Sequence, residues 1–574
     1  MVPAAFTANA VDMRPPVITI HPRSKDIFSQ FSLDDKLQKQ YAQGIEALKE
    51  EARSMLMAAK SAKVMILIDT LERLGLGYHF EKEIEEKLEA IYKKEDGDDY
   101  DLFTTALRFR LLRQHQRRVP CSVFDKFMNK EGKFEEEPLI SDVEGLLSLY
   151  DAAYLQIHGE HILQEALIFT THHLTRIEPQ LDDHSPLKLK LNRALEFPFY
   201  REIPIIYAHF YISVYERDDS RDEVLLKMAK LSYNFLQNLY KKELSQLSRW
   251  WNKLELIPNL PYIRDSVAGA YLWAVALYFE PQYSDVRMAI AKLIQIAAAV
   301  DDTYDNYATI REAQLLTEAL ERLNVHEIDT LPDYMKIVYR FVMSWSEDFE
   351  RDATIKEQML ATPYFKAEMK KLGRAYNQEL KWVMERQLPS FEEYMKNSEI
   401  TSGVYIMFTV ISPYLNSATQ KNIDWLLSQP RLASSTAIVM RCCNDLGSNQ
   451  RESKGGEVMT SLDCYMKQHG ASKQETISKF KLIIEDEWKN LNEEWAATTC
   501  LPKVMVEIFR NYARIAGFCY KNNGDAYTSP KIVQQCFDAL FVNPLRIGTG
   551  ENLYFQGSGG GGSDYKDDDD KGTG

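Results

Sequence analysis

Three aspartates with the spacing DDxxD, Asp301, Asp302 and Asp305, stand at the end of an apolar segment. Apolar residues recur every three or four positions across residues 284–300, which predicts a helix with one buried face. Asp301 and Asp305 are four residues apart and therefore share a helix face. Such negative charge beside an apolar pocket is costly without a cation, and carboxylate oxygens favour Mg²⁺. The pattern predicts a magnesium site, with a solvated helix end as the alternative.

The same spacing occurs at residues 218–222, so the letters alone do not identify the site. The run 216–223 contains two arginines and no apolar residue, which is typical of a surface loop. By contrast, residues 294–309 contain no Lys or Arg, so the charge around Asp301 must be met from outside the motif. We therefore assign the metal site to the copy at Asp301.

A second polar column lies on the helical segment after residue 430. Asn444, Ser448 and Glu452 are each four residues apart and so lie along one helix face. Amide, hydroxyl and carboxylate oxygens together suit one hard cation. Arg441 stands one turn before Asn444, in position to bind a phosphate oxygen. Such a column is usually a solvated face, but with the aspartates it predicts a site for metal-bound diphosphate.

The remaining candidates are a second arginine, Arg264, and aromatic residues that include Trp273, Tyr520 and Tyr527. Metal ions and arginine stabilise a departing diphosphate, and aromatic faces stabilise a carbocation in a dry cavity. Without the metal motifs, each of these aromatic residues would be assigned to the core. Together, the residue types predict the ionisation of a diphosphate attached to an apolar skeleton.

Helices must position these residues. The sequence is rich in Leu, Glu, Lys and Ala and shows no clear period-two strand, which predicts an all-α protein of two helical domains. We expect the domains to span residues 1–224 and 225–547, because the charged run 216–223 separates them. Helical periodicity is almost unbroken over residues 33–91. Residues 548–574 hold a protease site, a Gly/Ser linker and an acidic epitope tag.

The net charge and the cysteines indicate which binding partners and which cellular compartment to expect. The net charge is −15, and residues 548–574 carry six acidic and two basic side chains, which leaves −11 for the rest. This balance argues against nucleic acid or an anionic membrane as partner. Seven cysteines without CxxC pairing indicate thiols in a reducing compartment. No apolar run is long enough to span a bilayer and no signal peptide is evident, so we expect a monomeric cytosolic protein.

Beyond the two metal motifs, four stretches resemble the plant terpene synthases, most closely the cytosolic sesquiterpene synthases of the aristolochene and vetispiradiene type. These stretches are Arg108–His115, Ser248–Trp251, Tyr278–Pro281 and Leu331–Lys336. The resemblance covers nearly the whole chain before the tag. It implies a C-terminal class I bundle that holds the active-site cavity, and an N-terminal helical, barrel-like domain.

The resemblance also implies roles for individual residues. Six metal ligands would bind three Mg²⁺ ions, or Mn²⁺ in their place: Asp301, Asp302 and Asp305 for two ions, and Asn444, Ser448 and Glu452 for the third. Two arginines would hold the diphosphate: Arg264 and Arg441. Residues of the pocket, the lid and a helix break that aims carbonyls at the cation would be Trp273, Thr401, Ser402, Gly403, Tyr520, Asp525 and Tyr527.

The chain also departs from the family pattern. Ser266 stands where the family has a further arginine, and Gly455 stands where an arginine is common. Residues 24–26 replace a Trp-Gly-Asp sequence, and residues 14–15 are all that remains of an N-terminal arginine motif. These departures concern lid closure and turnover rate more than the class of reaction.

With a cytosolic location, the implied substrate is farnesyl diphosphate, which would be ionised and cyclised to a sesquiterpene with release of diphosphate. Geranyl diphosphate is an open alternative. A chain-elongating prenyltransferase would need a second aspartate-rich motif where the column from Asn444 to Glu452 stands. A helical scaffold, from another class of protein, would need an internal repeat, and the sequence has none.

Overall fold

The computed structural model of the chain describes residues 14, 29–94, 100–455, 460–521 and 533–547, with the backbone alone at 136, 138, 325 and 449–455. Throughout these residues the regular secondary structure is helical, apart from one isolated bridge between Met128 and Phe134. This confirms the predicted all-α class. The predicted residues Asp525 and Tyr527 lie outside the described residues.

The helices of the described N-terminal half are α1 (Asp35–Ala58), α2 (Ala62–Arg73), α3 (Glu81–Lys93), α4 (Leu102–Gln114), α5 (Glu136–Leu139), α6 (Val143–Ala153), α7 (His161–Ile177), α8 (Pro186–Glu196) and α9 (Pro204–Tyr215). Across both halves, short 3₁₀ helices span Gly77–His79, Cys121–Phe127, Glu178–Gln180, Phe199–Arg201, Pro281–Tyr283 and Val325–Thr330.

The helices of the described C-terminal half are α10 (Glu223–Lys253), α11 (Leu256–Asn259), α12 (Val267–Leu277), α13 (Ser284–Asn306), α14 (Ile310–Arg322), α15 (Asp333–Ile355), α16 (Ala361–Met384), α17 (Phe391–Thr401), α18 (Val404–Ile411), α19 (Gln420–Leu427), α20 (Arg431–Gly455), α21 (Ser461–His469), α22 (Lys473–Ala497), α23 (Lys503–Cys519) and α24 (Gln534–Phe541).

The nearly continuous periodicity of residues 33–91 is divided among α1, α2 and α3. The chain turns after α2 at Gly75, whose φ of +71° favours glycine. A Cβ atom at this position would also lie 3.0 Å from Ala208 Cβ. Periodicity alone did not reveal these two breaks, because the apolar faces on both sides of each turn pack into the same core.

Helix α13 positions the aspartates as the apolar spacing predicts. Val286, Ile290 and Leu293 are buried, and the helix packs against α12, α16 and α18. It continues through the DDxxD residues to Asn306, so the carboxylates occupy its last turns. The pattern of buried residues therefore fixes which side of the helix the aspartates occupy.

The two halves are joined by polar contacts around α4 and α22. Trp495 Nε1 donates to the carbonyl of Arg113 at 3.2 Å, and Arg201 donates to Glu485 at 2.5 and 2.7 Å. Helix α10 begins at Glu223 after the capping residue Asp222, and it packs along α1. The domain boundary at residue 224 stays a prediction, and it lies within the first turn of α10.

Candidate active site

Arg264, which precedes α12, binds the aspartates at the end of α13. Its Nη2 atom lies 2.8 Å from Asp301 Oδ2 and 2.5 Å from Asp302 Oδ1. Asp302 is almost fully buried and also accepts hydrogen bonds from the Arg264 backbone N–H at 2.8 Å and from Asn306 at 3.1 Å. The DDxxD motif contains no cation, and Arg264 supplies one from outside α13, as expected. The Arg264 guanidinium is already bound to the carboxylates of Asp301 and Asp302.

The carboxyl groups of the site outnumber the neighbouring arginines, and the pKa values of several of them are raised. Burial raises the pKa of Asp301; Arg264 opposes this shift and Asp302 adds to it. Desolvation by the surrounding protein and the charges of Asp301 and Glu379 raise the pKa of Asp305, although its side chain is exposed to solvent. Carboxyl groups whose pKa values are raised together favour an additional cation.

A hydrogen-bonded chain connects α16, α17 and α20 on the other side of the site. Arg441 Nη2 donates to Thr401 Oγ1 at 2.8 Å, and Thr401 donates to Glu379 Oε1 at 2.9 Å. Burial raises the pKa of Glu379 to about 7, with Arg441 opposing the shift and Asp301 adding to it. The charge of Arg441 also opposes the rise in the pKa of Asp301. The two motifs predicted from sequence therefore belong to one site.

The described part of the polar column predicted on α20 consists of Asn444 and Ser448. Asn444 Oδ1 accepts from Arg441 at 3.2 Å. Ser448 is buried, and its Oγ atom has no partner within the described residues. Glu452 lies on the same helix, but its side chain is outside the described residues. A buried hydroxyl without a partner next to an amide oxygen fits an oxygen-liganded cation.

Within the described residues, no three carboxylate, histidine or cysteine side chains form a ready metal cluster. Asp301 and Asp302 bind Arg264 instead, and Glu379 binds Thr401. The donor types fit a divalent cation, which would compete with Arg264 for the oxygens of Asp301 and Asp302.

Of the predicted pocket residues, Thr401, Ser402 and Gly403 form the break between α17 and α18, and Trp273 is linked to this break through Tyr512. Gly403 has a φ of +77°, which starts a new helix at Val404. The Ser402 carbonyl accepts from Tyr512 Oη at 2.7 Å, and the Tyr512 ring lies edge-on to Trp273 at 5.3 Å. Tyr520 follows the end of α23 and is buried. The pocket roles of these residues stay predictions.

Sequence reasoning missed two acidic residues of the site. Glu379 lies on the polar face of α16, where carboxylates are common, so its place in the site was not evident from the sequence. Asp445 is buried beside Arg441, whose Nη1 lies 3.4 Å away, and accepts from the Ser461 backbone N–H at 2.9 Å. The available signal for Asp445 was an acidic residue directly after Asn444, which on a helix points away from the predicted column.

Two departures from the family pattern have visible contacts. Ser266 Oγ accepts from Gln295 Nε2 at 3.0 Å. Where the family has an arginine, this protein therefore has a hydroxyl group that is hydrogen-bonded to its own core. Arg14 donates to the Tyr307 carbonyl at 2.6 Å and to Glu312 at 3.1 Å. The remaining N-terminal arginine is thus held directly after α13.

Comparison with known proteins identifies the family. Residues 23–195 match the terpene synthase N-terminal domain, and residues 252–490 match the metal binding domain of the terpene synthase family. The chain therefore belongs to the terpene synthase family and carries its metal-binding domain. The predictions of family, enzyme class and metal dependence are confirmed, and the scaffold alternative is wrong.

Two relatives are similar along nearly their whole length. The gamma-cadinene synthase of Ocimum basilicum is 56% identical over 541 residues, which cover 93% of this chain and 99% of that protein. The tau-cadinol synthase of Lavandula angustifolia is 52% identical over 544 residues, which cover 93% and 98%. Both relatives are sesquiterpene synthases, in agreement with the sequence prediction.

Solved structures share the fold. Limonene synthase with 2-fluorolinalyl diphosphate superposes with a TM-score of 0.88 at 29% identity, covering 93% of this chain and 100% of that one. Isoprene synthase from grey poplar (Populus x canescens), with three Mg²⁺ ions and dimethylallyl-S-thiolodiphosphate, gives a TM-score of 0.80 at 32% identity, covering 89% and 98%. No helix among the described residues is long and apolar enough to cross a membrane.

Proposed function

We propose that this terpene synthase ionises farnesyl diphosphate with the help of Mg²⁺, cyclises the resulting carbocation, and releases a sesquiterpene and diphosphate. The observation that carries the proposal is the meeting of the two motifs. Arg441 of α20 bonds to Thr401 and acts electrostatically on Asp301 of α13. The similarity to two sesquiterpene synthases supports the chain length of the substrate.

The metal ligands in this proposal are the carboxylates of α13 and the polar column of α20: Asp301, Asp302, Asp305, Asn444, Ser448 and Glu452. Three Mg²⁺ ions, as in the poplar isoprene synthase complex, would supply positive charge to the departing diphosphate. Mn²⁺ is the alternative metal. Arg264 and Arg441 would donate to the diphosphate oxygens. For Arg264 this means exchanging its carboxylate partners for the substrate.

The remaining predicted residues would form the cavity for the carbocation. Trp273 and Tyr520 are buried aromatic residues whose rings would exclude water and stabilise positive charge. Helix α17 ends at Thr401, and the next carbonyl, of Ser402, accepts from Tyr512, whose ring contacts Trp273, so the carbonyls at the break with α18 would add partial negative charge. Asp525 and Tyr527 are proposed for the lid and the pocket on the family pattern alone.

The compartment, the assembly and the domain boundary are also proposals. We propose a monomeric cytosolic enzyme, supported by the acidic net charge and by cysteines that form no disulfide. The division at residue 224 is supported by the charged run that ends there. Geranyl diphosphate is the second candidate substrate, favoured by the close superposition with limonene synthase.

The test is to incubate the purified protein with Mg²⁺ and either farnesyl or geranyl diphosphate, and to identify the products by gas chromatography and mass spectrometry. We expect a sesquiterpene from farnesyl diphosphate. Asp301→Asn should abolish the product, whereas Asp218→Asn, in the second DDxxD copy, should leave the rate nearly unchanged. No terpene from either substrate, or equal losses in both folded variants, would contradict the proposal.

A further inference from the structure

Helix α23 places Tyr512 against the break between α17 and α18. Tyr512 is only 6% exposed, and its hydroxyl group donates to the Ser402 carbonyl at 2.7 Å. The helix is anchored beside this contact, because Asn511 Nδ2 donates to the Leu277 carbonyl at the end of α12 at 2.9 Å. Neither the metal motifs nor the family resemblance assigned a role to Tyr512. Its contacts, however, are with residues proposed for the carbocation cavity.

The hydrogen bond from Tyr512 meets a carbonyl group that the helix itself leaves open. Ser402 is the capping residue at the C-terminal end of α17, and the last carbonyl groups of a helix have no donor within that helix. A buried carbonyl group without a donor is costly, and Tyr512 supplies the donor. A carbonyl oxygen has two lone pairs, so this bond leaves one lone pair available to a positive charge.

Gly403 makes the direction of this carbonyl group depend on Tyr512. The peptide unit between Ser402 and Gly403 turns about the ψ angle of Ser402 and the φ angle of Gly403, and glycine tolerates a wide range of φ. Gly403 has a φ of +77°, and a Cβ atom on it would lie 3.6 Å from Tyr512 Oη. The hydroxyl group therefore lies next to a peptide unit that its own backbone restrains little.

The ring of Tyr512 packs against Trp273 of α12. The two ring centroids lie 5.3 Å apart at an interplanar angle of 67°, and Trp273 is buried. This edge-to-face arrangement is favoured between aromatic rings, so Tyr512 restricts the orientation of the indole. One side chain of α23 thus contacts both an aromatic wall residue and the carbonyl group at the helix break.

A second contact holds the same break from α20, since Arg441 Nη2 donates to Thr401 Oγ1 at 2.8 Å. The charge of Arg441 also acts on Tyr512, where it opposes the rise in pKa that burial causes. Burial is the larger effect, so the pKa of Tyr512 is raised and its hydroxyl group stays a neutral donor. Tyr512 therefore acts on its neighbours by position rather than by proton transfer.

We propose that Tyr512 is a positioning residue for product specificity: its hydroxyl group fixes the direction of the Ser402 carbonyl, and its ring fixes Trp273. This role rests on the proposed function, because the two groups affect products only when a carbocation forms beside them. A carbonyl dipole that is oriented before ionisation stabilises positive charge without reorganisation. Since its direction favours one position of the charge over others, turning the carbonyl group changes which ring closure is favoured.

The test compares the parent with Tyr512→Phe, which keeps the ring and removes only the hydroxyl group. With farnesyl diphosphate and Mg²⁺ we expect a changed product ratio and a kcat roughly tenfold lower. KM should stay unchanged, because the groups proposed for the diphosphate are intact. Equal product ratios and kcat in the parent and a folded Tyr512→Phe would overturn the proposal, while the terpene made by the parent would still support the proposed function.

The matched control is Tyr278→Phe. Tyr278 is 3% exposed, and its hydroxyl group donates to the Val504 carbonyl in the first turn of α23 at 2.9 Å. The control therefore removes an equally buried hydrogen bond to a carbonyl group on the same helix as Tyr512. It should lower the melting temperature as Tyr512→Phe does and keep the product ratio and kcat of the parent. An equal change of products in both variants would overturn a specific role for Tyr512.

Hydrogen exchange without substrate or metal tests the positioning itself. Across the break, the Gly403 N–H donates to the Ile400 carbonyl and the Met407 N–H to the Gly403 carbonyl. Residues 402–407 should exchange roughly tenfold faster in Tyr512→Phe than in the parent or in Tyr278→Phe. Unchanged exchange there would overturn the proposal. A parent that makes no terpene would contradict the proposed function instead, and exchange would then decide whether Tyr512 holds the break.

Discussion

Arg264 forms three hydrogen bonds with Asp302: its backbone N–H donates to Oδ2 at 2.8 Å, and its Nε and Nη2 donate to Oδ1 at 2.8 and 2.5 Å. The arginine predicted for the diphosphate therefore also pairs with carboxylates that are proposed as metal ligands. If a cation binds Asp301 and Asp302 as proposed, it competes with the guanidinium for carboxylate oxygens, so metal binding and the release of Arg264 would be linked.

The first prediction concerns this competition. Arg264→Gln should lower the melting temperature in metal-free buffer, at a cost of about 1 to 3 kcal/mol, because partly buried carboxylates lose their cation. Added Mg²⁺ should then raise the melting temperature more in the variant than in the parent. Arg311→Gln, at an exposed position on α14, is the control. Equal Mg²⁺-induced shifts in the parent and Arg264→Gln would show that no competition exists.

The second prediction concerns Ser266, which stands where the family has a further arginine. Ser266→Arg should lower KM, because another guanidinium donates to the diphosphate, with about 1 to 2 kcal/mol as the upper limit. It should also lower the melting temperature, because buried Gln295 loses the hydroxyl that accepts from it. The double variant Ser266→Arg with Gln295→Leu should recover stability and keep the lower KM. A higher KM in both variants would show that the present site already balances its charge.

The third prediction concerns two of the three consecutive alanines at residues 297–299, which precede Val300 and the aspartates. Ala299 is fully buried, so Ala299→Ile should overpack the core at a cost of about 1 to 3 kcal/mol. Ala298 is half-buried and lies one turn before Asp301, so Ala298→Ile should change the ratio of products more than the stability. Melting curves and product analysis measure the two effects. If both variants match the parent in both measurements, the stretch is neither pocket wall nor core.

The fourth prediction concerns pH. Burial raises the pKa of Glu280 to about 8, and the charges of Glu507 and Glu81 add to the shift. The folded state then keeps a proton that the unfolded chain releases at lower pH, so this group makes stability fall as pH rises from about 4.5 to 8. Glu280→Gln should raise the melting temperature at pH 8 and change it little at pH 4.5.

The control for this prediction is Glu131→Gln, which removes an exposed carboxyl group and is measured at the same two pH values. A stabilisation by Glu280→Gln that is the same at both pH values would contradict the titration and indicate a packing effect instead.

Local spacing was sufficient for the parts of the site that lie on one helix. Apolar residues at intervals of three and four predicted α13, and the same geometry placed Asp301 and Asp305 on one face. The intervals of four also predicted that Asn444 and Ser448 share a face of α20. These conclusions depend only on the helix repeat, which the sequence contains directly.

Tertiary packing decided which residues meet across helices. The sequence identified Arg264 as an anion partner, but only the packing of α12 against α13 brought it to Asp302 rather than leaving it free for a ligand. Glu379 belongs to the site because α16 packs against both α13 and α17. Such meetings depend on distances between elements far apart in the chain, and those distances follow from the whole core rather than from any local repeat.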